Sequence, residues 1–162
     1  MVVTVVSKMT TKKEYLIQKK LHKSFPKYIP KPISYKNGVM KTKKFGTSLK
    51  KWLSTHRFSN RLLSEIIRNV RLILIKIRRR YPGFRHMDLH IGNVLFYKGR
   101  IMIIDFGLSK MNAPGVCPCK DLNVFARSLK NYVFKKRRSK TVKGKTEESA
   151  ASIAKRLTLF KA

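Results

Sequence analysis

Acidic residues are scarce in this chain. Its 162 residues include 7 Asp plus Glu against 39 Lys plus Arg, a formal net charge of +32. Only 2 cysteines are present, Cys117 and Cys119 with Pro118 between them. No His or Cys cluster lies near them, so no zinc site is expected, and the chain reads as reduced and intracellular, in cytoplasm or nucleus. No apolar run reaches the length of a membrane span, and the N-terminus lacks a secretory signal. There are no internal repeats. No aromatic-rich RNA-binding motif or zinc finger is found, which argues against sequence-specific readout of nucleic acid.

What is abundant is positive charge. A charge of +32 implies attraction to polyanions, whether nucleic acid, acidic proteins or anionic membrane. Salt-sensitive, sequence-independent nucleic-acid binding is expected. The run Lys135-Lys136-Arg137-Arg138-Ser139-Lys140 also fits a nuclear localisation signal.

Against this background, His86 to Lys110, HMDLHIGNVLFYKGRIMIIDFGLSK, is the most informative stretch. A loop carries His86, Asp88 and, five residues after the aspartate, Asn93. Two short apolar runs follow, Val94–Tyr97 and Ile101–Ile104, split by Lys98-Gly99. The second ends on Asp105-Phe106-Gly107. The spacing predicts a tight hairpin that carries Asp105 back beside Asn93. Magnesium is a hard cation that takes oxygen ligands, so Asn93 and Asp105 are the metal candidates. Asp88 is placed to accept a hydrogen bond or proton from an acceptor hydroxyl, and His86 is counted with Asp88 and Asn93 as catalytic. This is the layout of a phosphoryl-transfer site. Two of seven acids fall inside it, and an acid kept in so basic a chain is the more telling for that.

These motifs resemble the catalytic and metal-binding loops of the protein kinase-like superfamily. Met87 and His90 stand where most protein kinases have Arg and Lys, and Asp88-Leu89-His90-x-x-Asn93 is similar to the aminoglycoside phosphotransferases and small atypical kinases. The chain reaches Lys120-Asp121-Leu122 soon after Gly107, without a long activation segment. That brevity resembles the RIO-type kinases, the small kinase of the KEOPS complex and miniature kinases of large DNA viruses. A viral protein acting in its host cell is therefore one reading. The resemblance implies an α+β, protein kinase-like fold, minimal and two-lobed, with a reduced N-terminal lobe and a truncated, mainly helical C-terminal lobe. It spans residues 1–134, with 1–46 as the small lobe, 47–134 as the large lobe and 135–162 as a basic tail with a short helix.

The same resemblance implies roles upstream. Val2 to Val6 reads as a strand closed by Lys8, and Thr10-Thr11 cap a helix beginning near Lys12. A strand lysine paired with a helix glutamate positions ATP phosphates in this superfamily, and Lys8 and Glu14 are the candidates. After a proline-stiffened connector, Ile33–Thr42 reads as a hairpin with an Asn37-Gly38 turn. Lys43, Lys44 and Phe45 resemble the hinge against which adenine lies. A helix from about Asn60 to Arg80, capped by Ser59 or Asn60, carries the apolar stripe Leu62, Leu63, Ile66, Ile67, Val70, Ile73, Leu74, Ile77. A further helix spans 121–129. Asp121 at its start either braces the catalytic loop or serves the helix dipole.

The expected cofactors are ATP and Mg2+. The expected reaction is transfer to a Ser or Thr hydroxyl of a protein, the chain's own basic tail included. The Gly-x-Gly-x-x-Gly loop of protein kinases is absent from the sequence, which leaves a minimal kinase, a fragment, or an inert kinase-like module that binds nucleic acid or acidic proteins. A small-molecule phosphotransferase is a further alternative.

Overall fold

A computed structural model describes residues 5–114 and 119–141. Strand β1 (Val5–Met9) and helix α1 (Lys12–Ser24) are followed by a hairpin of β2 (Pro32–Lys36) and β3 (Val39–Lys43). Then come β4 (Thr47–Ser48), α2 (Leu49–Thr55), α3 (Asn60–Arg80), the hairpin β5 (Val94–Tyr97) and β6 (Arg100–Ile103), and α4 (Cys119–Thr141). Two antiparallel sheets result, with strand orders β1-β3-β2 and β4-β5-β6. The fold is α+β and kinase-like, with a small sheet-and-helix lobe over a reduced helical lobe.

Local chemistry sets the boundaries. Thr11 accepts from the Glu14 amide at the start of α1, and Ser59 accepts from the Leu62 amide at the start of α3. Both hairpin turns use left-handed residue pairs. Asn37 and Gly38 have φ of 50° and 75°, Lys98 and Gly99 of 47° and 76°. Paired positive φ at both central positions is what a two-residue hairpin with properly twisted strands demands.

One apolar cluster joins the lobes. It includes Ile17 and Leu21 of α1, Ile66, Val70, Leu74 and Ile77 of α3, and Phe84, Phe106 and Phe125. Leu62 and Ile67 flank the α3 stripe, half-buried.

Three expectations need correction. Lys8 lies within β1 rather than at its end, because the strand pairs with β3 and sets Lys8 opposite Met40. Residues 1–4 of the expected strand lie outside the described residues. The last described helix runs to Thr141 instead of 129, because Phe125, Leu129 and Val133 continue its buried face at helical spacing. The basic run at 135–140 therefore begins on a helix, and the possible short helix near the C-terminus lies outside the described residues. Cys119 is held in a disulfide rather than reduced; Cys117 lies outside the described residues. Among the described residues, no helix is long and apolar enough to cross a membrane.

Because α3 is the central support, Leu74→Ala should cost about 2–5 kcal/mol of unfolding free energy. The same change at exposed Leu72 should stay near 0.5 kcal/mol or less. Urea unfolding of the two variants checks this, and equal losses would contradict the assigned core face.

Candidate functional site

The site is built where the lobes meet. Lys8 extends from β1, and its Nζ donates to Glu14 Oε1 at 3.0 Å and to Asp105 Oδ1 at 2.7 Å. Glu14 sits on the first turn of α1 and is buried, 4% exposed. Its carboxylate is fully engaged: it also accepts from the Thr10 hydroxyl and from the Phe106 amide. A buried carboxylate is tolerable only when paired and hydrogen-bonded in this way. The short Lys8-to-Glu14 connection does not prevent pairing, because the chain turns between strand end and helix cap. Burial of Lys8 lowers its pKa, but hydrogen bonds and charges from Asp105 and Glu14 outweigh this and raise it.

Asp105 has φ of 67°, a left-handed conformation that a non-glycine residue adopts only under constraint. The constraint comes from both sides. The Ile104 amide donates to the Asn93 carbonyl, and the next amide but one, of Phe106, is held by Glu14. The β5–β6 register, Val94 opposite Ile103, sets Asn93 beside this turn. Asn93 is buried, and its Nδ2 donates to the Asp88 carbonyl at 2.9 Å, which turns its Oδ1 away from that contact. The Asp88 and Asp105 side chains are half-exposed.

Beneath the loop lies Asp121. It is 3% exposed, accepts from the His86 and Met87 amides, each at 3.1 Å, and pairs with Arg78 at 2.8 Å. Of the two roles open for Asp121, the brace is the one the geometry supports. Met87, between the braced amides and Asp88, also has positive φ, 71°. Ser128 adds a further tie, accepting from the Ile91 amide at 3.1 Å.

His86 requires a correction. It is fully buried, with Nε2 at 2.9 Å from the Ile104 carbonyl and its ring 5.3 Å from that of Phe106. An imidazole closed off from solvent cannot touch a substrate, so His86 is a positioning residue that ties the Asp88 loop to the Asp105 strand. Its Nδ1 has no partner. Burial pushes its pKa below the ordinary value, against the pull of the Ile104 carbonyl and nearby carboxylates.

Sequence reasoning placed His90 in the motif but gave it no role. Its Nδ1 accepts from the Gly92 amide at 2.9 Å, which leaves the proton on Nε2, 3.7 Å from Asp88 Oδ2. Arg78 and Ser128 were missed, and Thr10 was expected only as a helix cap. Each acts through folding contacts that no motif spells out.

A cleft of about 240 Å³ opens beside these groups. Val6, Met40, Leu95 and Ile104 supply apolar walls. Lys43, Lys44 and Phe45 form one edge, and Lys8, Glu14 and Asp105 lie at the polar end. The residues suit a flat apolar ring with an anionic tail. Among the described residues there is no group of three His, Cys, Asp or Glu that could hold a metal alone. A two-oxygen pair such as Asn93 and Asp105 suits magnesium, which keeps its waters and takes phosphate oxygens as further ligands.

A two-lobed α+β chain with a strand lysine, a helix glutamate and these two loops is a protein kinase-like protein. The RIO domain family model matches residues 3–113, and the chain belongs to that family. The structure is similar to that of the Cydia pomonella granulovirus kinase, PK-1, with a TM-score of 0.49 and 18% identity. The match covers 65% of this chain and 41% of that one, so the chain spans less than half of its length. No curated protein matches the sequence.

The buried imidazole makes stability depend on pH. Its folded pKa lies below 6.5, so the unfolded chain takes up a proton where the folded one resists it. Stability should be level above about pH 6.5 and fall as pH drops below it. His86→Gln, which retains a donor for the Ile104 carbonyl, should flatten this acid limb. Denaturation midpoints across the range test it, and an unchanged limb in the variant would count against the assignment.

Proposed function

We propose that this RIO-type chain is an ATP-dependent phosphotransferase acting on a Ser or Thr hydroxyl of a protein, in an intracellular setting. The observation that carries the reading is the convergence of Lys8, Glu14 and Asp105, which are 97 residues apart at the extremes, on one cleft edge. A purely structural role would not require a half-exposed aspartate in a strained backbone facing a lysine. In this reading residues 1–134 act as the catalytic unit, with 1–46 and 47–134 as its lobes and 135–162 as an appendage.

The roles follow from charge and position. Asp88 orients the acceptor hydroxyl and takes its proton, while Asn93 holds the Asp88 loop and, with Asp105, offers oxygens to Mg2+. Lys8, steadied by Glu14, neutralises phosphate oxygens. The backbone at Lys43, Lys44 and Phe45 borders the adenine. Magnesium-bound ATP would supply the phosphoryl group and part of the charge neutralisation. Such transfers proceed through a loose transition state, so positioning and electrostatics carry most of the catalysis.

A second reading has its own support. Five acids fall within the described residues, and four of them, Glu14, Asp88, Asp105 and Asp121, belong to the site or its brace. That leaves Glu65 alone on an otherwise cationic surface. A catalytically inert kinase-like module that binds nucleic acid or acidic proteins would look similar from outside. A small-molecule phosphotransferase is less favoured, because among the described residues no further acids surround Asp88 to receive a cationic acceptor.

Magnesium and ATP together should raise the melting temperature, and Asp105→Asn should abolish the shift. With radiolabelled ATP and protein acceptors, Asp88→Ala should lower the rate by about 10²–10⁴. An equal shift in the Asp105 variant, or labelling unaffected by the Asp88 variant, would move the assignment to the inert module.

Binding of DNA or RNA should be independent of sequence and drop steeply from low to moderate salt. Removal of residues 135–162 should weaken it only in part, since basic residues are spread along the chain. Fluorescence titration at several salt concentrations checks this. Salt-independent or single-sequence binding would refute it.

A further inference from the structure

A second concavity, of about 780 Å³, begins at the catalytic loop and runs along α4. Its loop end is formed by His90 and Ile91, and its far side by α2 and the outer turns of α4. Lys50 and Lys135 face it, both exposed, and Lys136 lies on its border. Lys136 is committed to fold contacts. Its amine caps the end of α2 through the carbonyls of Leu53, Ser54 and His56. Among the described residues, no acidic residue lines the groove.

The groove and the proposed catalytic aspartate share a residue. His90 lines the groove, and its Nε2 lies 3.7 Å from Asp88 Oδ2. We infer that this groove receives the flanking segment of the acceptor protein, and that it selects acidic residues there. The inference deepens the phosphotransferase reading and rests on it: the hydroxyl sits at Asp88 and the acids lie against Lys50 and Lys135.

The spacing can be estimated. Ser128 pins the catalytic loop to α4 through the Ile91 amide. Lys135 is two turns further on, about 10 Å along the helix. An extended peptide covers that in about three residues. An acid about three to five positions from the acceptor hydroxyl would therefore meet Lys135, while Lys50, whose amide donates to the Ile91 carbonyl, meets one nearer the loop. A nucleic-acid strand fits the groove less well. Strand binders stack successive bases on aromatic side chains, and among the described residues Tyr132 is the only phenol or phenyl ring in the lining.

The test uses the full chain and three fluorescent serine peptides whose flanks are acidic, neutral or basic, identical otherwise. Binding is read by anisotropy at moderate salt, and KM and kcat by phosphate transfer. The acidic peptide should bind on the order of tenfold more tightly than the neutral one, the sum of two exposed ion pairs, and the gain should appear in KM. Lys50→Glu with Lys135→Glu should erase this preference, and Lys50→Ala with Lys135→Ala should reduce it. Lys23→Glu with Lys36→Glu, the same charge change on the small lobe, should retain it. Equal affinity for all peptides overturns the proposal. So does equal loss in the small-lobe variant, which would mean bulk charge alone. Loss of oligothymidylate binding, with peptide binding intact, in the groove variant would assign the groove to nucleic acid instead. Anisotropy needs no turnover, so a groove-dependent acidic preference without phosphate transfer leaves the groove standing and removes the phosphotransferase reading.

Discussion

Glu14 is the point on which the two lobes turn. Its carboxylate is buried, yet it receives the Lys8 amine, the Thr10 hydroxyl and the Phe106 amide at once. The first two contacts fix how β1 enters α1. The third spans 92 residues and fastens α1 to the turn that bears Asp105. A charge in low dielectric has no cheap alternative to these partners. If one is withdrawn, the carboxylate must be neutralised or the helix must move. Lys8 is held to Asp105 by the same arrangement, so the placement of two half-exposed charges at the cleft follows from the placement of the most buried one.

Charge imbalance gives the remaining carboxylates their weight. In a chain of +32, most surface positions repel one another, and attraction is concentrated at a few places. Asp121 answers the Arg78 guanidinium and two loop amides from below, while Glu14 answers Lys8 from above. Between them stands the loop from His86 to Asn93, whose own Asp88 is left half-exposed. Buried acids do the holding, while Asp88 and Asp105 stay half-exposed. Lys8 shows the pH side of this arrangement. Its raised pKa means its ion pairs contribute fully below the unfolded lysine value and fade only as pH climbs through the folded one.

Much of this was legible in the residues, for identifiable reasons. The α3 boundaries could be read because an apolar period of 3.6 and a serine cap coincide. Both hairpins could be read because Asn37-Gly38 and Lys98-Gly99 adopt the backbone that two-residue turns need. Pairing of Lys8 with Glu14 was expected, though the strand around Lys8 is displaced, since its register depends on β3 rather than on its own valines. The length of α4 was hidden by the run of cations from Lys135, which reads as a solvated tail until Val133 is seen buried. The burial of His86 was hidden altogether. A histidine beside an aspartate looks the same in sequence whether it faces substrate or core. The brace formed by Asp121 and the support of Asp88 by His90 depend on distances that only folding creates.

The ties from α4 also bear on when the protein becomes whole during its synthesis. Asp121 lies 35 residues after the loop amide of His86 that it holds, and Lys136 lies 80 or more after the α2 carbonyls that it caps. A ribosome delivers the loop from His86 to Asn93 well before either partner. Until α4 emerges, the loop's strained Met87 backbone lacks the Asp121 brace, and the end of α2 lacks the Lys136 amine. The nascent large lobe must therefore wait for its last described helix, with a strongly cationic chain exposed beside the polyanionic RNA of the machine that makes it.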